Sequence, residues 1–168
     1  LAFKATVTEL HPASSYLTVD GGSPQFLYSS TTSPAFTINT VGMAEGIHTA
    51  KIETRDAAGN RDAGSVASVQ FVIDSTAPDV IITAPLPGLL VAQGTDIPFS
   101  ALVTDAHPAA NYLTIDGGSP QYLYSSTTTP AFTIHTAGLA EGIHTAKIQT
   151  RDAAGNADAG SVASVTFE

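Results

Sequence analysis

The feature that most constrains the fold is an internal repeat. When the sequence is shifted against itself by about 96 positions, roughly three residues in four are identical across the overlap. The shift places Phe3 on Phe99, His11 on His107 and Asp56 on Asp152. A repeat of this length can enclose its own hydrophobic core, whereas the repeats of helical solenoids are much shorter. We therefore expect two domains in tandem, residues 1–74 and 75–168.

Alternation of apolar and polar residues dominates both copies, and helical periodicity is nearly absent. In the second copy the alternation predicts seven short strands, two of which flank the tight turn at Asp116-Gly117-Gly118. Such a pattern is typical of an all-β fold, a seven-stranded antiparallel sandwich of the immunoglobulin-like or fibronectin III-like type. Because residue 1 aligns with Ile97, the first copy is expected to lack its first strand.

The charge balance limits the partners of the chain. The formal net charge is -9 with only 6 Lys and Arg residues, which argues against nucleic acid or an anionic membrane as a partner. Divalent cations remain compatible with this balance. The absence of cysteine excludes disulfides and Cys-ligated metals. No apolar run has membrane-spanning length, so we expect no membrane insertion.

The sequence contains no pattern that indicates catalysis. There is no Gly-x-Ser-x-Gly motif, no Ser or Cys nucleophile with a His-Asp signature, and the carboxylates are spread singly along the turns. His135 has Asn39 as its counterpart, so the histidines do not form a triad that repeats with the domains. We therefore expect a protein that is not an enzyme.

One histidine in each copy stands where the long strand begins. His48 follows MAEGI and His144 follows LAEGI. The spacing is similar to the tyrosine corner of Greek-key sandwiches, in which a polar aromatic side chain bonds back to the backbone at a turn. We interpret both as structural corner residues; metal ligation and pH switching are the functional alternatives.

Two longer stretches, EGIHTAKIETRDAAGN and FVIDSTAPDVIITAP, resemble the bacterial immunoglobulin-like repeats of large surface proteins and adhesins. The resemblance implies an extracellular location on the bacterial cell surface and a structural function, as a stalk, spacer or filament-forming unit of an adhesin. The partners would be neighbouring repeats in the same chain or filament. A cell-surface glycan or protein would be bound by another part of the full-length protein.

The turn RDAAGN occurs in both copies, and the topology predicts what surrounds it. In a sandwich of this type the loop after the second strand, the loop before the last strand and the incoming linker meet at one end. In the second copy this predicts an interdomain cluster made of Asp74, Asp79, Asp105, Asp152, Asn156 and Asp158. The equivalent residues of the first copy, an incomplete set, are Glu9, Asp56, Asn60 and Asp62.

Two interpretations of these oxygen-rich turns stay open. Asp followed by Gly-Asn forms a good turn on its own, because Asp accepts backbone N–H groups while Gly and Asn adopt left-handed geometry. Several carboxylates close together also favour a cation, and Ca²⁺ binds Asp, Asn and backbone oxygens in flexible geometry. The resemblance supports Ca²⁺ as a cofactor, since related adhesin repeats hold calcium at domain junctions.

Two further functions are alternatives to a spacer. Aromatic residues could form a carbohydrate- or protein-binding face, and the candidates for it are Tyr16, Tyr28, Tyr112 and Tyr124. The first copy could also accept a strand from another chain at its open sheet edge, which would make the protein a filament subunit assembled by strand donation.

Overall fold

A computed structural model describes residues 1–28, 30–61 and 63–168 of the chain. Its internal contacts divide the chain into two compact units, Leu1–Asp74 and Ser75–Glu168. The regular elements of the described residues are β-strands, apart from one 3₁₀ turn at Ala63–Ser65. No helix in this part of the chain has the length and apolar character needed to cross a membrane.

The first unit contains six described strands in two antiparallel sheets. They are β1 (Ala2–Lys4), β2 (Pro12–Val19), β3 (Gln25–Tyr28), β4 (Ala35–Thr37), β5 (Gly46–Asp56) and β6 (Val66–Ile73). One sheet has the order β3-β2-β5-β6, and the other pairs β1 with β4. The core consists of Leu17, Phe36, Ile38, Ala50 and Ile52.

The second unit has the same plan with one additional strand. Its strands are β7 (Asp79–Ala84), β8 (Ile97–Thr104), β9 (Pro108–Ile115), β10 (Gln121–Tyr124), β11 (Ala131–Ile134), β12 (His144–Asp152) and β13 (Val162–Phe167). One sheet has the order β10-β9-β12-β13 and the other β11-β8-β7. The unit is therefore the seven-stranded antiparallel sandwich that the alternation predicts.

The core of the second unit lies between these two sheets. Strand β8 turns Ile97, Phe99, Ala101 and Val103 inward, and all four side chains are buried. They pack in one cluster with residues of the opposite sheet, among them Leu113. The alternation works because successive side chains of a strand point to opposite faces, so every second residue reaches the core.

Strand β7 and the segment after it cover a side of the second unit. Val80 and Ile82 of β7 pair with Val103 and Ala101 of β8. The chain then continues to Leu89, which forms a parallel bridge with Phe167 of β13. Among the described residues the first unit has no counterpart of β7 or of this bridge.

The uncovered side of the first unit is visible in a pair of equivalent valines. Val165 of β13 is 6% exposed, whereas Val69 of β6, at the same position of the repeat, is 52% exposed. Phe71 is likewise only partly buried, while its equivalent Phe167 is fully buried. The two units thus share a sequence pattern and differ in how completely their cores are closed.

Candidate functional site

The RDAAGN turn of the second unit is organised around a buried carboxylate. Asp152 is 3% exposed, and its two oxygens accept hydrogen bonds from Asn156: the backbone N–H at 2.7 Å and the side-chain amide at 2.6 Å. Gly155 between them has a φ of 91°, a left-handed conformation that favours glycine. The turn therefore satisfies the buried carboxylate with groups from its own chain.

Hydrogen bonds tie this turn to the loop between β8 and β9 and to the segment entering β7. The N–H of Ala153 donates to His107 O at 2.9 Å, and the Asn156 amide reaches Thr76 O at 3.5 Å. Further along, Ser161 Oγ donates to Pro78 O at 2.6 Å. These three segments of the second unit accordingly lie at one end of its sandwich.

Four carboxylates gather at this end in two pairs. A carboxylate oxygen of Asp105 lies within 4.8 Å of one of Asp152. Asp79 and Asp158 both face Gly160, where a Cβ would collide with the Asp79 carboxylate. Asp158 Oδ1 also accepts the N–H of Gly160 at 2.8 Å.

No Lys, Arg or His of the described residues forms an ion pair with any of these four carboxylates. Asp105 Oδ1 accepts the N–H of His107 at 2.6 Å. Asp74, which the sequence placed in the same set, is the last residue of the first unit. Within the described residues the donors to these carboxylates are neutral N–H and O–H groups, and in such a setting a divalent cation would be stabilising.

The first unit repeats part of this arrangement in a more exposed form. Asp56 Oδ1 accepts the N–H of Asn60 at 2.7 Å and Oδ2 accepts its side-chain amide at 2.8 Å. These bonds, led by the one from the Asn60 side chain, hold the pKa of Asp56 below its usual value. Glu9 accepts the N–H of His11 at 3.0 Å. Asp62 lies outside the described residues.

The arginine beside this turn does not neutralise Asp56. Arg55 donates to Glu53 Oε1 from Nε at 3.2 Å and from Nη2 at 3.0 Å. Its guanidinium also lies 4.9 Å from the centre of the Tyr16 ring. Arg55 and Arg61 hold the pKa of Glu53 below its usual value. Alternation along β5 sends Arg55 and Asp56 to opposite faces.

A histidine in each unit joins a turn to the long strand. In the second unit His144 Nε2 lies 2.8 Å from Ala140 O, and Nδ1 lies 2.6 Å from Asp116 Oδ2. The other oxygen of Asp116 accepts the N–H of Thr145 at 2.8 Å. The ring packs against Phe167 with 5.6 Å between ring centres.

The first unit has the same arrangement. His48 is bonded to Asp20 Oδ2 at 2.6 Å and to Ala44 O at 2.8 Å. Both nitrogens of each ring face an oxygen acceptor, and only the protonated imidazole can donate from both. The neighbouring aspartates thus raise the pKa values of His48 and His144.

The same contacts act on the aspartates in the opposite direction. The bonds from the two rings, followed by those from backbone N–H groups, lower the pKa values of Asp20 and Asp116. Sequence reasoning missed the bond of these aspartates to the histidines, because the glycines that follow each aspartate already explain the hairpin turn. The geometry is that of a structural tie with no vacant position for a ligand on either ring nitrogen.

An aromatic face is present on the hairpin of β9 and β10. The rings of Tyr122 and Tyr124 are nearly parallel, 3° apart, with 5.8 Å between ring centres. They are 54% and 74% exposed. Tyr112 meets both rings edge-on. Sequence reasoning missed Tyr122, although its spacing of two residues from Tyr124 places both on one face of a strand.

The corresponding face of the first unit differs. Tyr16 meets Phe26 edge-on with 5.0 Å between ring centres, and Arg55 covers part of its ring. The side chain of Tyr28 lies outside the described part of the structure. Phe26 occupies the position of Tyr122, so this face lacks one of the two stacked hydroxyl-bearing rings.

Comparison with known proteins gives one sequence relative and a set of structural relatives. No protein-family model matches the chain. Halomucin from Haloquadratum walsbyi is 33% identical over 90 residues, which represent 53% of this chain and 1% of halomucin. The chain therefore spans a very small part of the length of that relative.

Two solved structures show the range of the structural likeness. The fibronectin(III)-like modules of Clostridium thermocellum CbhA match 99% of this chain and 83% of their own chain, with a TM-score of 0.54 and 19% identity. A chimeric titin Z1Z2 matches 100% of this chain and 86% of its own, with a TM-score of 0.39 and 14% identity. The likeness to the CbhA modules establishes the fold, which is an immunoglobulin-like sandwich of the fibronectin III kind.

Proposed function

We propose that the chain is a non-catalytic, load-bearing repeat of an extracellular bacterial surface protein, where it acts as a stalk or spacer. The observation that supports this best is the pairing at the edge of the second unit. There, Leu89, in the segment between β7 and β8, forms a parallel bridge with Phe167 of β13, the last strand of the unit. A pull on the two ends of the unit then loads this pairing along the strand direction.

Three hydrogen bonds make up this parallel clamp, formed by residues 88–91 and 166–168. Gly88 N donates to Thr166 O at 2.9 Å, Val91 N to Glu168 O at 2.7 Å, and Glu168 N to Leu89 O at 2.8 Å. Since the strands would have to slide past each other, all three bonds must break together. An antiparallel pair pulled open from one end would lose its bonds one at a time.

The distribution of chemistry over the two units also favours a spacer. The same turns and histidine corners occur in both units. The two units therefore do not carry different chemical groups that could divide a catalytic function between them. The histidines that the sequence singled out at the strand entry use both ring nitrogens in structural bonds. The match to a stretch that makes up 1% of halomucin supports a place for the chain in a much longer protein.

Single-molecule stretching tests this function. Each unit should unfold in its own event, lengthening the chain by roughly 200 to 300 Å, and the longer step should belong to the second unit. Val91→Pro removes one clamp donor and should lower the unfolding force of the longer step. Val91→Ala is the matched control, because it shortens the side chain and retains the N–H. Equal forces for both variants would argue against a load-bearing clamp.

We further infer that Ca²⁺ binds the carboxylates at the entry end of the second unit. Asp105 and Asp152 are the closest pair and have no ion-pair partner among the described residues. Further oxygen donors of the second unit at this end are Asn156, Asp79 and Asp158. The bonds from Asn156 leave lone pairs on the Asp152 oxygens, so the turn and a metal are compatible.

A second candidate function is carbohydrate binding by the stacked tyrosines. Exposed, rigid aromatic rings with hydroxyl groups favour contacts with sugars and with protein surfaces. A glycan array probed with the whole chain would test this, with Tyr124→Ala as the variant and Phe26→Ala as the control on the other unit. Specific binding lost only in Tyr124→Ala would favour the binding module over the spacer.

A further inference from the structure

The basic residues of the second unit stand on one side of one sheet. Lys147 and Arg151 are the only Lys and Arg residues in the sequence from 75 to 168. Both are exposed on β12, whereas Ala146 and Ile148 of the same strand are fully buried. Because successive side chains of a strand point to opposite faces, the two cations lie on the outer side of the sheet β10-β9-β12-β13.

The strand register places these cations beside the aromatic face. Gln149 of β12 pairs with Tyr112 of β9, and Tyr112 pairs with Tyr122 of β10. These three residues form one row across the sheet, and Lys147 and Arg151 stand two positions to either side of it. Diagonal neighbours on adjacent strands are about 7 to 8 Å apart. Both cations are therefore within side-chain reach of the tyrosine rings.

The outer side of this sheet carries no carboxylate of its own. The one acidic residue in the four strands is Asp152, which is buried and faces the interior. Among the residues that the structure describes, neither Lys147 nor Arg151 forms an ion pair. A chain with a formal net charge of -9 thus presents a positive patch next to exposed aromatic rings. Such a patch attracts anions locally.

The first unit shows how one residue changes this patch. Glu53 stands at the position of Gln149 and accepts hydrogen bonds from Arg55 at 3.0 Å and from Arg61 at 2.8 Å. The arginines on that face are therefore compensated by a carboxylate of the same unit. Because Gln149 is neutral, Arg151 of the second unit has no such partner among the described residues.

We propose that the aromatic face of the second unit binds an acidic oligosaccharide whose sugar rings carry carboxylates. The sugar rings would pack on Tyr122 and Tyr124, which are exposed and nearly parallel. The planar guanidinium of Arg151 matches a carboxylate in two hydrogen bonds, and Lys147 adds a second positive charge. This inference rests on carbohydrate binding, the second candidate function given above, and specifies the class of sugar.

NMR titration of the isotope-labelled whole chain with oligogalacturonate tests the proposal. Saturable shifts of amide signals are expected in β9, β10 and β12, and the affinity should fall as salt is added because the charges are exposed. The fully methyl-esterified oligomer is the matched ligand, since it has the same sugar rings without the charge. It should bind at least about tenfold more weakly, because it lacks hydrogen bonds between charged groups.

Two variants place the same added charge on different faces. Gln149→Glu gives the second unit the carboxylate that the first unit has at this position, so it should fold normally. By pairing with Arg151 it should weaken binding of the acidic oligomer at least about tenfold. Thr133→Glu is the control, because Thr133 is exposed on β11 in the other sheet, and this variant should bind like the unmodified chain.

The possible failures separate this inference from the function on which it rests. Equal binding of the acidic and esterified oligomers, or of Gln149→Glu and the unmodified chain, would overturn the inference and leave carbohydrate binding in place. Tighter binding of a polyglutamate peptide than of the oligomer would overturn it in favour of an acidic polypeptide. The lack of any shift with either oligomer would also overturn it, whereas binding of neutral glycans by the tyrosines is measured separately on the array.

Discussion

At the scale of single residues, the histidine corners are the most defined chemistry in the chain. The sequence predicted that the His144 ring would bond to the backbone at the turn, and the ring lies 2.8 Å from Ala140 O. It did not predict Asp116, which is 28 residues away and reaches the ring only when the sheet has formed. Long-range partners of this kind leave no local signal in a sequence.

The corner makes the stability of the fold depend on pH in a defined window. The pKa of His144 is raised, so its contribution is complete below its ordinary pKa and is lost as pH rises through the folded value. The pKa of Asp116 is lowered, so its contribution is complete above its ordinary pKa and is lost as pH falls through the folded value. The corner should stabilise most between about pH 4 and pH 6.5.

Thermal unfolding of Asp116→Asn across this range checks the window. The melting temperature of the variant should fall furthest below that of the unmodified chain near pH 5, and the difference should shrink at high pH. Glu141→Gln is the control, since it removes a nearby exposed carboxylate, whereas the described bonds of the ring go to Asp116 and to Ala140 O. A constant difference at every pH would mean that the ring is not held as an imidazolium.

At the scale of elements, alternation was sufficient to locate the strands, and topology was sufficient to bring the turns together. Asp105 and Asp152 are 47 positions apart by their numbering, yet strand order alone predicted that their loops share an end. The distribution of hydrogen bonds inside that cluster could not be predicted. It depends on side-chain geometry, such as the two bonds that Asn156 donates to Asp152.

The uneven cover of the two units predicts an uneven response to one substitution. Val165→Ala should lower the free energy of unfolding of the second unit by about 1.5 to 3 kcal/mol, because it removes two buried methyl groups and leaves a cavity. Val69→Ala, the equivalent change in the first unit, should cost less than about 0.5 kcal/mol since that side chain is half exposed.

Unfolding by denaturant and scanning calorimetry, as two separate measurements, would determine both effects. The chain should show two transitions because each unit has its own core cluster. Val165→Ala should move only one of them. Equal losses for the two valines would show that β7 and the clamp segment do not provide the cover described for Val165.

At the scale of the whole molecule, the chain consists of two similar sandwiches with unequal completeness. The repeat in the sequence predicted both, and also predicted that the first would lack a strand. The repeat could not indicate how far the lack of this strand exposes the core of the first unit, because that depends on which side chains the strand covers. Val69 and Phe71 are the same residue types as their buried equivalents, Val165 and Phe167. The sequence alone therefore gives no sign of their different exposure.

Calcium should act on the second unit alone if its carboxylates bind the ion. At a calcium concentration a hundredfold above Kd, the free energy of unfolding should rise by about 2.7 kcal/mol relative to chelator. Asp105→Ala should remove this gain, whereas Asp96→Ala should retain it because Asp96 pairs with His135 in another part of the unit. Identical melting curves with calcium and with chelator would leave the turns as purely structural.

The bridge between Leu89 and Phe167 has one last consequence, for the order in which the second unit folds. The two residues lie 78 positions apart by their numbering, so the strands between them must come together before the bridge can form. We therefore expect the closing pair of the second unit to be among the last contacts that folding completes.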